Sequence, residues 1–266
     1  MQDSPVPHIT VEGLTMAYAG RVIQRDLSFT IRQGDIFVIM GGSGCGKSTL
    51  LRHLIGLKEP AAGRVLCRGV DFWDSSPAER DATRRRGGVL YQSGGLWSSM
   101  TLAENVALPL QEYTALSRAD IRDVVSVKLA LVGLAGFEDF HPAEISGGMQ
   151  KRAGLARAMA LDPDLLFLDE PSSGLDPVSA RRLDDLILEL RASLGTTIVV
   201  VSHELASIFA IGTDSVFLDS EARTAIAGGD PRELLAHSSN PTVRDFLTRG
   251  GSRAAADAHP PTVKDA

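Results

Sequence analysis

A glycine-rich segment followed by lysine and serine is the first place where residue types and spacing predict chemistry. Residues 41–48 read GGSGCGKS and fit the pattern G-x-x-x-x-G-K-[ST]. Glycines allow positive φ, so successive backbone N–H groups can curl around an anion. Lys47 can reach the β- and γ-phosphates, and the Ser48 hydroxyl can bind Mg²⁺. The segment therefore predicts a phosphate loop that binds a nucleoside triphosphate.

Two adjacent acids later in the chain predict the chemistry that acts on this phosphate. Asp169 and Glu170 follow the apolar run Leu165 to Leu168 directly. An acid at the end of a strand beside a phosphate loop can hold Mg²⁺ through water, and the next acid can polarise an attacking water. This pair indicates in-line phosphoryl transfer to water.

A second anion cradle follows from the segment SGGMQ, which begins at Ser146. Ser146 can cap the next helix, and Gly147 and Gly148 expose backbone N–H groups at its start. One chain does not need two phosphate cradles for one nucleotide. The second cradle is therefore expected to face the γ-phosphate bound to another copy of the protein.

The surrounding pattern predicts the elements that position these residues. A buried strand over Ile36–Met40 leads into the phosphate loop, and a helix begins near Lys47. The runs LLFLDEP and TTIVVVSHE have the apolar character of central parallel strands, whereas residues from about 100 to 161 have helical character. Together they predict a doubly wound α/β core with an inserted helical lobe. Residues 248–266 are rich in Ala and Pro and are predicted to form a flexible tail.

Composition limits the class of protein. The 266 residues include 44% hydrophobic residues and carry a formal net charge of −6, which supports a large core and argues against a broad nucleic-acid-binding surface. The apolar runs are too short to span a bilayer, and the N-terminus lacks a basic start and an apolar signal core. Only two cysteines occur, so a reducing cytosol is the expected compartment.

From Ile9 to about Leu247, these motifs resemble the ATP-binding subunits of ABC transporters. The resemblance implies an ABC ATPase domain over residues 1–247, in which a RecA-like P-loop NTPase core carries an N-terminal antiparallel β subdomain and a helical subdomain at about 96–160. It assigns nucleotide contacts to Tyr18 (stacked on adenine), Gly41, Gly42, Ser43, Gly44, Cys45, Gly46, Lys47, Ser48, Thr49, Ser146, Gly147, Gly148, Met149 and Asp176. It assigns Mg²⁺ to Ser48, Gln92 and Asp169, and catalysis to Glu170, His203 and Gln92.

A narrower resemblance links the chain to the Mla-type, MCE-associated phospholipid-transport ATPases. Its marks are Ser-Gly-Gly-Leu after Gln92, Pro109 followed by an acidic-x-Thr pattern, Met149 in the SGGMQ segment, and NPTVRDFL near the C-terminus. The segment Ser173–Asp176 departs from that group, because it has the general ABC form SGLD. The alternative is the ATPase of an importer for amino acids or another polar solute.

The resemblance also implies the cofactors and partners. ATP and Mg²⁺ would bind a homodimer that works with separate transmembrane permeases and an MCE-domain periplasmic protein. The protein would lie on the cytoplasmic face of the inner membrane, which it would touch through the permease only, and would bind no nucleic acid. Trp97 lies between two glycines and two serines, a context that predicts an exposed anchor for a permease helix, whereas Leu102 is expected in the core of the lobe.

Overall fold

The computed structural model describes residues 7–256, with side chains described up to residue 248. The strands are β1 (Pro7–Tyr18), β2 (Arg21–Arg32), β3 (Ile36–Gly41), β4 (Ala62–Cys67), β5 (Val70–Asp71), β6 (Gly87–Leu90), β7 (Leu165–Asp169), β8 (Thr197–Val201), β9 (Asp214–Asp219) and β10 (Thr224–Gly228). The α-helices are α1 (Lys47–Leu54), α2 (Pro77–Arg85), α3 (Leu102–Tyr113), α4 (Arg118–Leu131), α5 (Gly147–Ala158), α6 (Pro177–Leu194), α7 (Leu205–Ile211), α8 (Pro231–His237) and α9 (Pro241–Ala256). A short 3₁₀ turn, Pro142–Glu144, precedes α5.

These strands form two sheets. The larger has the order β10-β9-β3-β8-β7-β6, in which every pair is parallel except β10 with β9 at one edge. The smaller sheet has the order β2-β1-β4-β5 and is antiparallel. The predicted α/β fold, with its parallel central sheet, N-terminal antiparallel subdomain and inserted helices, is confirmed.

Strand β3 shows how the core is divided. All six of its residues are buried, and successive side chains of a strand point to opposite faces. Phe37 and Ile39 pack with the antiparallel sheet and α1, whereas Val38 and Met40 pack with α7 and α9. A third cluster joins the helical lobe, including the fully buried Leu102, to one face of β6, β7 and β8.

Parallel strands bring the predicted motifs to one edge of the sheet. Strand β3 ends in the phosphate loop, β7 ends at Asp169, and β8 ends two residues before His203. Asp169 pairs with Val201 in the register of β7 and β8, and Val201 pairs with Ile39 of β3. The carboxyl ends of parallel strands are where open α/β sheets bind ligands.

The helices of the described residues bear on two further expectations, which concern membrane spans and the C-terminal tail. Within 7–256, no helix combines the length and apolar character needed to cross a membrane. Helix α9 continues through residue 248, where the flexible tail was predicted to begin, and ends at Ala256. The rest of the predicted tail, 257–266, lies outside the described residues.

Candidate functional site

A cleft of about 980 Å³ lies where these strands end. It is lined by most of the predicted nucleotide residues, which are Tyr18, Gly41, Gly42, Ser43, Gly44, Cys45, Gly46, Lys47, Ser48 and Thr49, together with Gln92, Glu170 and His203. The sequence did not indicate several other lining residues, which are Arg21, Val22, Ile23, Leu205, Ser220, Arg223 and Phe246. Residues from distant segments of the chain therefore meet around one open space.

The phosphate loop is folded as its glycines require. Gly41 has φ +144°, and a Cβ there would lie 2.3 Å from the carbonyl oxygen of Leu218. Gly46 has φ +99°, and a Cβ there would meet the Ile23 side chain at 2.8 Å. The Lys47 ammonium donates to the carbonyls of Gly41 and Gly42, 3.0 Å from each. The Lys47 side chain therefore lies across the phosphate loop, in which it was predicted to bind the β- and γ-phosphates.

A buried glutamine that the sequence did not indicate, Gln24, is hydrogen-bonded to this loop. Gln24 is fully buried in β2, and its Nε2 donates to the carbonyls of Cys45 at 2.7 Å and Asp219 at 2.9 Å. These bonds tie the phosphate loop to the end of β9. The signal in the sequence is a lone amide at an inward position of a strand, because a buried polar side chain must find partners.

Ser48 and Asp169 supply the oxygen atoms that a magnesium site needs. The Ser48 hydroxyl donates to Asp169 Oδ1 at 3.2 Å, although the two residues are 121 positions apart. A hydroxyl and a carboxylate suit Mg²⁺, which takes few protein ligands and completes its octahedron with water and substrate phosphate. This donor pair therefore fits the predicted ion, and Gln92 lines the same cleft.

Glu170 and His203 form a contact at the floor of the cleft. His203 Nδ1 lies 2.8 Å from Glu170 Oε1, and because a carboxylate accepts, the ring nitrogen donates. Glu170 is 8% exposed, and its Oε2 has no hydrogen-bond partner among the described residues. Glu170 also has φ +50°, a left-handed backbone that is uncommon outside glycine.

A second residue that the sequence did not indicate, Lys151, links two of the predicted catalytic residues. Its ammonium donates to the backbone carbonyl of Gln92 and, at 3.2 Å, to that of Glu170. Burial lowers the pKa of Lys151, and the nearby charges of Glu170 and Asp169 oppose that shift. Lys151 follows the SGGMQ segment on α5, so a cation on the inward face of that helix was the available signal.

The second anion cradle lies outside this cleft. Ser146 caps α5 by accepting from the Met149 N–H at 3.3 Å, as its position predicted. Asp176 caps α6 by accepting from two N–H groups, and hydrogen bonds from Ser179 lower its pKa. The described residues that line the cleft do not include Ser146, Gly147, Gly148, Met149 or Asp176. One chain therefore brings together only part of the predicted set.

A separate groove of about 650 Å³ lies between the sheet and the helical lobe. Trp97 lines it with 58% of its surface exposed, beside Tyr113 and Pro109. The backbone of Trp97 is held by the fully buried Asn105, which accepts from its N–H at 2.7 Å and donates to its carbonyl at 3.1 Å. The predicted exposure of Trp97 and burial of Leu102 are both observed.

Comparison with known proteins shows the family of this chain. The family model described as ABC transporter matches residues 24–173. The intermembrane phospholipid transport system ATP-binding protein MlaF of Haemophilus influenzae is 41% identical over 90% of this chain and 89% of its own length. The probable ribonucleotide transport ATP-binding protein mkl of Mycobacterium tuberculosis is 44% identical over 90% of this chain, which spans 66% of that relative's length.

Solved structures have the same architecture. CbiO1 of Clostridium perfringens, part of the ABC transporter complex cbiONQ, matches with a TM-score of 0.80 and 26% identity over 95% of this chain and 99% of its own. A dimeric ATP-binding cassette in a post-hydrolysis state, bound to ADP and Pi, matches with a TM-score of 0.75 and 27% identity over 84% of this chain and 98% of its own. From its motifs, its fold and these relatives, this chain belongs to the ABC transporter family.

Proposed function

We propose that this protein is the subunit of an ABC transporter that binds and hydrolyses ATP, and that it energises phospholipid transport through separate permeases. The observation that carries the ATPase role is the single cleft that joins the phosphate loop to Gln92, Glu170 and His203. A triphosphate in the loop would place its γ-phosphate toward these three residues. Their chemistry is that of phosphoryl transfer to water.

Each residue would have one part in the reaction. Backbone N–H groups of the loop and the Lys47 ammonium would bind the phosphates, after Lys47 leaves the two carbonyls that it contacts. Ser48 and Asp169 would hold Mg²⁺, which neutralises charge on the phosphate oxygens when bound. Glu170 would accept a proton from the attacking water, with its Oε1 held by His203 and its Oε2 without a partner among the described residues.

The full site would need two copies of the chain. Ser146 and the start of α5 lie away from the cleft, and a helix N-terminus with free N–H groups suits an anion. In a head-to-tail homodimer, this cradle would cover the γ-phosphate in the partner's cleft. The dimeric cassette among the structural relatives supports this arrangement.

The assignment to phospholipids rests on the relatives. The MlaF proteins match this chain over nearly their whole length, at 38–41% identity. A polar solute is the second candidate, because the mycobacterial relative is named for ribonucleotide transport. Purified complexes with the permease should distinguish them: added phospholipid would stimulate ATP hydrolysis under the first proposal, and added ribonucleotide under the second.

The membrane partners follow from the same proposal. The groove around Trp97 would receive a short cytoplasmic helix of the permease, so the protein would lie on the cytoplasmic face of the inner membrane. An MCE-domain protein would complete the system on the periplasmic side.

The Glu170→Gln variant tests the ATPase role. Glutamine keeps the shape of the side chain and cannot accept the proton, so hydrolysis should fall by about 100-fold or more while ATP still binds. The matched control is Glu189→Gln, which makes the same change at an exposed position of α6. Hydrolysis by Glu170→Gln at the wild-type rate would refute the assignment of the base.

A further inference from the structure

A lysine lies against the aromatic ring that was predicted to stack on adenine. The Lys58 ammonium is 5.1 Å from the centroid of the Tyr18 ring and donates to the carbonyl of the preceding residue, Ala17, at 2.6 Å. Tyr18 lines the nucleotide cleft, whereas Lys58 is not among the described residues that line it. The cation thus contacts Tyr18 from outside the space that the nucleotide would fill.

The backbone around Lys58 is held in place by a buried histidine. His53 is 1% exposed on α1, and its Nδ1 donates to the Lys58 carbonyl at 2.7 Å. Burial lowers the pKa of His53, which keeps the ring neutral with its proton on the nitrogen that faces the carbonyl. The Ala61 N–H donates to the Thr15 carbonyl at 2.9 Å, which ties the same loop to β1. The ammonium therefore projects from a fixed loop.

Tyr18 needs such a partner because little else restrains it. Its side chain is 72% exposed at the end of β1, next to the turn that leads into β2. An exposed aromatic ring that binds a base must lose rotamer freedom on binding, and a contact that orders the ring beforehand reduces that cost. An ammonium over the face of an aromatic ring is such a contact, since the ring's quadrupole attracts it.

We propose that Lys58 is a positioning residue for base recognition. It orders the Tyr18 ring from one face and leaves the opposite face free to stack on the base of the nucleotide. The inference rests on the proposed function and on the contact between Tyr18 and the base of ATP that the family resemblance implies. It adds a residue 40 positions away that acts on the base only through Tyr18.

The test separates the base from the phosphates. Titration calorimetry on the full chain would measure the Kd of ATP and of inorganic tripolyphosphate, which has no base. Lys58→Met keeps an unbranched side chain without the charge, and should raise the Kd of ATP about three- to fivefold while that of tripolyphosphate stays unchanged. Lys58→Arg should restore the wild-type Kd, because a guanidinium can also stack on the ring. The charge-matched control is Arg52→Met, at an exposed position of α1, which should change neither Kd.

A double-mutant cycle tests whether Lys58 acts through Tyr18. In a Tyr18→Ala background, Lys58→Met should have no further effect on the Kd of ATP. Equal changes for ATP and tripolyphosphate, no change for either, or a full effect that persists without Tyr18 would each overturn the proposal for Lys58. Wild-type protein that binds neither compound would instead overturn the proposed function. Unchanged tripolyphosphate binding also shows that each variant is folded at the phosphate loop.

Discussion

Replacing Asp184 with asparagine should change how the stability of the fold depends on pH. Asp184 is buried on α6 and accepts from Ser207 of α7 at 2.8 Å, which joins the helix after Asp176 to the helix after His203. Burial raises the pKa of Asp184 from its usual value of 3.8 to about 6, the hydrogen bond from Ser207 opposes the shift, and the neighbouring Asp185 adds to it. Its Oδ1 has no hydrogen-bond partner among the described residues.

Protonation of Asp184 makes the free energy of unfolding depend on pH. The folded protein holds the Asp184 proton to a higher pH than the unfolded chain, so this contribution to stability is complete at low pH and is lost as pH rises through about 6. At about 1.4 kcal/mol for each pH unit between the two pKa values, the loss is about 3 kcal/mol in total. About half of it, roughly 1.4 kcal/mol, falls between pH 5 and pH 7.5.

Thermal melts of the wild type and of Asp184→Asn at pH 5 and pH 7.5 would measure this loss of stability. Asparagine does not titrate, so the variant should gain about 1.4 kcal/mol relative to the wild type over this range, or about 3–5 °C in Tm for a domain of this size. Asp123→Asn is the control, because it makes the same change at an exposed position of α4, away from Asp184. Parallel pH dependence of Asp184→Asn and the wild type would refute the raised pKa.

Three further predictions concern the proposed site and its partners. Mixed dimers with Lys47→Ala in one copy and Ser146→Arg in the other should keep one intact site and hydrolyse ATP faster than dimers with both changes on one chain; equal rates would contradict the composite site. Trp97→Ala should weaken permease association in pull-downs without lowering the Tm of the isolated subunit. An unfolded variant would instead show that Trp97 is needed for the fold of the subunit. Lys151→Met should lower kcat more than ATP affinity, because its ammonium holds two carbonyls of catalytic loops. Lys128→Met, at a buried lysine of α4, should leave kcat unchanged, and equal kcat for both variants would argue against Lys151.

The sequence predicted the parts of the site that depend on neighbouring residues. Glycine spacing at 41–46 requires a loop with positive φ, and the apolar run at 165–168 requires a buried strand, so both could be assigned from local rules. The parallel sheet then places Asp169 and Glu170 beside the loop, because all of its core strands end at one edge. Local pattern and sheet topology were sufficient for these residues.

Contacts between distant positions could not be predicted in the same way. Lys151 lies 59 positions from Gln92, Lys58 lies 41 positions from the carbonyl it binds, and Gln24 lies 195 positions from Asp219. Hydrophobic periodicity indicates which face of an element is buried. It does not indicate which polar group of another element lies against that face. For Gln24 and Lys151 the available signal was a polar residue at an inward position, whereas Lys58 lies in a loop and carried no such signal. The partner of each side chain emerges only when the sheets and helices are assembled.

Glu170 shows how these distant contacts converge on one atom. Its N–H donates to the Val201 carbonyl at 2.9 Å, its own carbonyl accepts from Lys151, and its Oε1 accepts from His203 at 2.8 Å. Its backbone lies in the left-handed region, which costs free energy for a residue with a side chain and persists only where surrounding contacts determine it. Every hydrogen-bonding atom is thus engaged except Oε2, which is buried and has no partner among the described residues. The placement of the Glu170 carboxylate therefore depends on the backbone conformation that these contacts impose.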